Sequence, residues 1–251
     1  MNAMKKIVLL FAQKGEFDME LICSTELDIL KTSPLYFFGE IVQMPKYFKY
    51  HFTNSLVDLL EVDFDIDGKV ISKKVASHKS IRYKSTLRQD PNHYSYDSFV
   101  FDNYTISHKN AWGYQCHKDG KLIWTKSLKG YLYTEIEKYG DNIVFGTAGY
   151  GGHFYSLNLR NGNILFDFNT KGTSQFFYVE GYFYICMRNS RSTDLLKIST
   201  EGKIIENIKL QGTYHDYYCP FNRCDNKLFV VTLKELKNNI LKPIIHCVSI
   251  V

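Results

Sequence analysis

The chain has 251 residues, 45% hydrophobic and 16% aromatic, with 31 Lys and Arg against 26 Asp and Glu for a formal charge of +5. That length supports a sizeable core in one domain or two small ones. The mild charge argues against a nucleic-acid polycation, and no apolar run has the length that spans a membrane.

Nineteen Tyr and eighteen Phe favour pleated, half-buried strands, while five Pro and sixteen Gly argue against long disordered linkers. The first residues, M-N-A-M-K-K-I-V-L-L-F-A-Q-K-G-E, superficially resemble a signal peptide. Their apolar core, Ile7 to Ala12, is interrupted at once by Gln13-Lys14-Gly15-Glu16, so the segment reads as a strand, Ile7–Phe11, of a cytoplasmic protein. Met19–Ser24 and Leu27–Lys31 read as further strands. Next come turn glycines between apolar-alternating segments: Asp67-Gly68, Asp119-Gly120, Asn161-Gly162 and Glu201-Gly202, which are 52, 42 and 40 residues apart. The Asn161-Gly162 pair predicts a two-residue hairpin in which both central residues take positive φ. Upstream of three of these turns lies a second hairpin: Phe99–Phe101 with Tyr104–Ser107, Glu135–Tyr139 with Asn142–Gly146, and Gln175–Val179 with Tyr182–Met187.

A period in the forties built from short strands is the pattern of a β-propeller blade. Residues 38–75, 95–128, 132–170 and 174–210 each predict four strands in meander order. Residues 214–251 supply only three: Asp216–Pro220, Lys227–Leu233 and Ile244–Val251. The expectation is an all-β chain, one propeller domain over residues 1–251, closed by strands from both termini. It has about six four-stranded blades, with five as the alternative. No long segment has helical periodicity, although Leu233–Ile240 has room for one turn. A long insertion, residues 76–94, accounts for the first separation of 52.

The pattern G-x-x-Y-x-L-x-x-x-N-G-x-x-L-F at residues 151–166 and W-G-Y-Q-C-H-K-D-G-K-L-I-W at 112–124 resemble the repeat of quinoprotein-like (pyrroloquinoline-quinone-type) β-propellers. Tyr155-Ser156-Leu157, Asn161-Gly162 and Leu165-Phe166 match, as do Tyr114, Asp119-Gly120-Lys121 and Ile123-Trp124. The resemblance covers residues 95–210 and implies blade scaffolding. It implies nothing about function, because propellers host unrelated roles. The quinone and its metal ligands are not carried over, and no cofactor is expected.

Asp63-Phe64-Asp65-Ile66-Asp67-Gly68 copies the start of a calcium loop, but the twelfth position is Lys74 where a bidentate Glu belongs, so it reads as an acidic hairpin turn. Asp58, Glu61, Asp63, Asp65 and Asp67 read as a solvated edge rather than a glycosidase pair. Gly146 to Gly152 lacks the helix a phosphate cradle needs and reads as a loop from which Tyr150 and His153 project. None of the eight His forms a compact ligand pair, and Met187 and His246 read as core. Cys116 and His117 are strand neighbours on opposite faces, which excludes a dyad. The six cysteines, Cys23, Cys116, Cys186, Cys219, Cys224 and Cys247, read as buried reduced thiols, and Cys219 and Cys224 lack C-x-x-C spacing. No catalytic or metal-ligating set is expected.

In a propeller the loops between second and third strands and those between blades share one face. By this layout that face carries His78, Arg82, Arg88, His93, His108, Lys109, Tyr150, His153, Arg188, Arg191, Tyr214 and His215, with acids nearly absent. Arg and Tyr are frequent binding hot spots. The leading expectation is therefore a non-catalytic module with a protein partner on this face, one version being a bacterial immunity protein that blocks a toxin. The alternative is a carbohydrate-active enzyme, a glycosidase or polysaccharide lyase, with its site at the channel mouth. Nucleic-acid binding by the basic loops stands third.

Overall fold

The computed structural model describes residues 19–26, 37–44, 46–54, 58–65, 67, 69–77, 98–110, 112–148, 152–171, 175–214, 221–236 and 241–250. They form five antiparallel sheets. β1 (Glu20–Glu26) comes first among the described residues. Then follow β2 (Phe37–Met44), β3 (Tyr47–Asn54), β4 (Asp58–Phe64) and β5 (Val70–Ser77), which make one sheet in chain order. β6 (Phe99–Phe101), β7 (Tyr104–Asn110), β8 (Gly113–Lys118) and β9 (Lys121–Ser127) make the next. In the third sheet the first strand is broken into β10 (Tyr131–Leu132) and β11 (Glu137–Tyr139). Both halves pair with β12 (Asn142–Ala148), followed by β13 (His153–Asn158) and β14 (Ile164–Asn169). β15 (Phe176–Val179), β16 (Tyr182–Arg188), β17 (Ser192–Ser199) and β18 (Ile204–Gln211) are the fourth. The fifth takes three strands from the C-terminal region, β19 (Phe221–Cys224), β20 (Lys227–Glu235) and β21 (Leu241–Ser249), and its fourth is β1, antiparallel to β21.

The four-strand meander expected from the repeat is thus present four times in chain order, and the three-strand C-terminal meander is completed by a strand from near the N-terminus. Its first described strand is β19; the expected strands Asp216–Pro220, Ile7–Phe11 and Leu27–Lys31 lie outside the described residues. Leu233 to Glu235 continue β20 rather than starting a helical turn. Ala76 and Ser77 extend β5, and the rest of the expected insertion lies outside the described residues.

Strand alternation explains how one sheet serves two neighbours, because successive side chains leave opposite faces. On β12, Ile143 and Phe145 enter a core shared with β7–β9, while Val144 enters a core shared with β15–β17. On β16, Phe183 and Ile185 face back towards β12–β14, whereas Tyr184 and Cys186 face forward into a core that includes Phe229, Val231 and Phe64. The middle strands are therefore apolar on both faces. β12 is almost wholly buried and β16 is buried over Phe183 to Cys186, whereas β14 and β18 are largely exposed. Three shared cores link the sheets in the order β6–β9, β10–β14, β15–β18, the fifth sheet, and β2–β5.

The turn glycines have a second duty that local sequence does not display. Trp124 on β9 lies over Gly162 of the next sheet, where a Cβ would come within 2.8 Å of the indole, and its Nε1–H donates to the Leu159 carbonyl at 2.8 Å. Phe166 on β14 lies over Gly202 in the same way, with a Cβ landing 2.6 Å from the Phe166 side chain. Both aromatics follow their own turn glycine by four residues, as the repeat requires. The third copy breaks the pattern: four residues after Gly202 stands Glu206, whose Oε2 accepts from the Met19 N–H at 2.8 Å. There the neighbouring outer strand is β1, and a carboxylate anchors its start.

The two-residue turn with both residues at positive φ occurs at Asp119-Gly120 (φ 50° and 75°) and at Glu180-Gly181 (φ 50° and 89°). It does not occur at Asn161-Gly162. Only Gly162 takes positive φ there, and residues 159–162 form a wider loop closed by Asn158 N–H to Asn163 O and Gly162 N–H to Asn158 O. Leu159 N–H is drawn aside to the Asp141 carbonyl, which widens the turn.

Candidate interaction face

In each meander the connection from second to third strand, and the link to the next sheet, emerge at the same end. Threonines fasten those ends together. Thr147 Oγ1 donates to the Lys129 carbonyl at 2.8 Å, the Arg188 N–H to the Thr170 carbonyl at 3.0 Å, and Thr232 Oγ1 to the Gln211 carbonyl at 2.5 Å. Consecutive sheets therefore bring their loop-bearing ends side by side.

Beneath this end runs a row of polar-tipped rings. His108 and Tyr114 are cross-strand partners on β7 and β8, and Phe145 and Tyr155 are partners on β12 and β13. The two pairs meet where Tyr114 stacks on Phe145 at 5.1 Å between centroids. His153, two residues before Tyr155 on the same strand face, lies parallel to it at 5.3 Å, and its Nδ1 pairs with the Asp167 carboxylate. The Lys129 N–H donates to Tyr155 Oη at 3.1 Å. Burial pushes the Tyr155 phenol up to about 12, with the Asp167 charge adding to the effect and the Lys129 hydrogen bond opposing it. Burial raises the Tyr114 phenol further, and its Oη makes no hydrogen bond among the described residues. Cys116 lies on β8 with no solvent exposure, and desolvation pushes its thiol up to about 11, the opposite of what a nucleophile needs.

The proposed binding residues divide into three groups. Lys109 and Arg191 are exposed, Arg188 is half-buried, and His108 is half-buried under the rim. His153 and Tyr214 do not project. His153 is only 4% exposed and Tyr214 3%, because each enters a core: His153 through its ring stack and carboxylate, and Tyr214 beside Phe229 and Leu233. His78, Arg82, Arg88, His93, Tyr150 and His215 lie outside the described residues. The face is also less one-sided in charge than expected. Asp167 is paired to His153, Asp194 accepts from the Asn189 side chain at 2.7 Å, and Glu26 pairs with Lys234 at 2.6 Å and Lys242 at 2.9 Å. Those two lysines hold the Glu26 carboxyl down to about 2.

Sequence reasoning passed over Trp112, an exposed indole on the β7–β8 loop, whose carbonyl accepts the Leu128 N–H at 2.9 Å. It also passed over Asp167 and the row role of Tyr114, which arise from pairing between distant strands. The acidic turn behaves as expected of a hairpin. Asp65 Oδ1 accepts from the Asp67 and Lys69 N–H groups, and Asp63 takes a hydrogen bond from Ser72 and an ion pair from Lys49 at 3.5 Å.

No protein-family model matches the chain, and no curated protein matches it. Among solved structures it is similar to BamB from Moraxella catarrhalis (TM-score 0.40, 9% identity, covering 81% of this chain and 56% of that one). It is also similar to the computationally designed Ika8 protein (0.41, 11%, 84% and 57%) and to the WD40 β-propeller domain of Doa1 (0.38, 11%, 81% and 62%). The chain thus spans less than two thirds of each. At these scores the likenesses carry no argument, and the reading of the site rests on its own geometry.

Proposed function

We propose that the five sheets are blades of one closed propeller over residues 1–251, and that the propeller is a non-catalytic module binding a protein partner on its loop-bearing end. The ring is supported by the common meander order, the succession of shared cores, and the borrowed fourth strand of the last sheet. The sheets described number five, which favours the five-blade alternative over six.

One observation carries the function. Lys109 and Trp112 crown the β6–β9 sheet and Arg188 and Arg191 the β15–β18 sheet, on either side of the β10–β14 sheet, whose His153 imidazole, Asp167 carboxylate and Tyr155 phenol are largely committed to one another. Arg and Trp on a rigid base are the residues from which binding hot spots are made. The immunity-protein version places a secreted toxin on this end, and a toxin gene directly upstream is the observation that supports it.

The test is co-purification from native lysate followed by mass spectrometry. Arg188→Glu with Arg191→Glu is expected to weaken partner capture at least about tenfold. Lys121→Glu, on an exposed turn at the opposite end, leaves capture unchanged. Equal capture by both variants, or none by the wild type, counts against the reading.

The carbohydrate-active alternative draws support from the His153–Asp167 pair beside Tyr155, an arrangement suited to acid–base work. Burial of His153 leaves it little reach to a substrate. Cleavage of a uronate-containing polysaccharide that disappears in His153→Gln would reverse the preference.

A further inference from the structure

The joint between the two ends of the chain contains two thiols set opposite each other by a defect in the ladder. On β1 and β21, Leu21 faces Val248 and Cys23 faces Cys247. Two steps on β1 thus match one on β21, and Ile22 is the extra residue of a β-bulge. Without that bulge Ile22 would face Cys247, and Cys23 would face His246. With it, the two cysteines share one face of the sheet and hydrogen-bond to each other through their side chains.

Cβ atoms of directly opposite residues lie about 4.5–5.5 Å apart, against about 3.5–4.5 Å across a disulfide. Bonding needs an approach of about an ångström. Among the described strands β1 is an edge strand with β21 as its only ladder partner, so it can supply that movement. Access is graded in the useful direction, since Cys23 is half-buried and Cys247 has no solvent exposure.

We infer that Cys23 and Cys247 form a reversible disulfide clasp that ties the N-terminal strand to the C-terminal strand. Cys23 is the attacking group. The hydrogen bond from Cys247 draws its thiol down to about 7, more than burial raises it. Cys247 is raised, first by donating that hydrogen bond and then by burial, so it resolves.

The oxidant is a low-molecular-weight disulfide. The Cys23 thiolate attacks one of its sulfurs, forming a mixed disulfide and expelling a small thiolate. Cys247 yields its proton to that thiolate, and its own thiolate attacks Cys23 Sγ, breaking the mixed disulfide and releasing the second small thiol, protonated from solvent. Two protein thiols are oxidised to one disulfide, and one small disulfide is reduced to two thiols. The bond closes a loop over nearly the whole chain, and β1 can then no longer leave its sheet.

Oxidised glutathione is the probe, applied to the folded full-length chain and quenched by alkylation. Non-reducing digestion is expected to yield a Cys23–Cys247 linked peptide, with an intact mass lower by about 2 Da. The melting temperature rises by about 5–10 °C and returns on adding dithiothreitol. Cys23→Ser loses both the peptide and the rise. Cys247→Ser instead retains glutathione on Cys23. If the buried substitution prevents folding, Cys23→Ser at the half-buried partner still decides the matter. Folded wild-type protein that keeps both thiols free, holds glutathione unresolved on Cys23, or links a different pair overturns the inference.

Discussion

Acid should loosen the joint between the chain ends through His246. Its imidazole sits on β21 with no solvent exposure. Nδ1 is 2.7 Å from Ser24 Oγ on β1, while Nε2 is 2.9 Å from Thr232 Oγ1 and 3.0 Å from the Gln211 carbonyl. One neutral tautomer satisfies the set, with Nε2–H donating to Gln211 O and Nδ1 accepting from the Ser24 hydroxyl; this assignment follows from the partners. Burial pulls the group from its ordinary 6.5 down to about 4, with the Gln211 carbonyl opposing weakly.

Because the folded value is the lower, the unfolded chain binds more protons between pH 6.5 and 4. The stabilisation is complete above 6.5 and is lost as pH falls through that window. The gap corresponds to about 3 kcal/mol at its lower end. Glu26 stays ionised throughout, since Lys234 and Lys242 hold it near 2. Urea unfolding from pH 7 to 4.5 should be compared between the wild type and His246→Asn, which does not titrate. The variant is less stable at neutral pH, and the difference between the two shrinks by about 2–3 kcal/mol on acidification. A difference constant to within about 0.5 kcal/mol would refute the reasoning.

Two further predictions concern packing. Gly202→Ala is expected to cost about 2–3 kcal/mol, combining positive φ with the contact to Phe166, whereas Gly120→Ala, with nothing within 4 Å of the added Cβ, costs about 1 kcal/mol. Equal losses in thermal unfolding would remove the inter-sheet role assigned to Gly202. Tyr114→Phe deletes a buried hydroxyl that makes no hydrogen bond among the described residues, so stability should hold or rise by up to about 1 kcal/mol. A fall larger than about 1 kcal/mol in urea unfolding would mean that the hydroxyl is engaged.

The repeat was legible because its signals are local. Turn residues such as Asp119-Gly120 act within four residues, and alternation along β12 or β16 is written in adjacent positions. The C-terminal region lacked one strand by simple counting, and Met19–Ser24 was among the N-terminal candidates to supply it. The interaction face was less legible. His153 reads as a loop-edge histidine, yet its burial depends on Asp167, fourteen residues away on another strand, and on a ring stack with Tyr155. Tyr214 likewise looks like a loop aromatic until the core around Phe229 closes over it.

By itself, then, the sequence determined strands, the places of the turns and meander order, because each rests on backbone preferences and side-chain alternation over a few residues, whereas the form of the Asn161-Gly162 turn followed from the Leu159 N–H bond to the Asp141 carbonyl. Only the tertiary structure decided what depends on one sheet meeting another. It placed Trp124 and Phe166 over the turn glycines of the following sheet and replaced that contact with Glu206 where β1 takes over. It set Cys23 against Cys247 through one extra residue in a ladder. Those contacts join residues tens to hundreds of positions apart, and their register is fixed by packing, which no local pattern encodes.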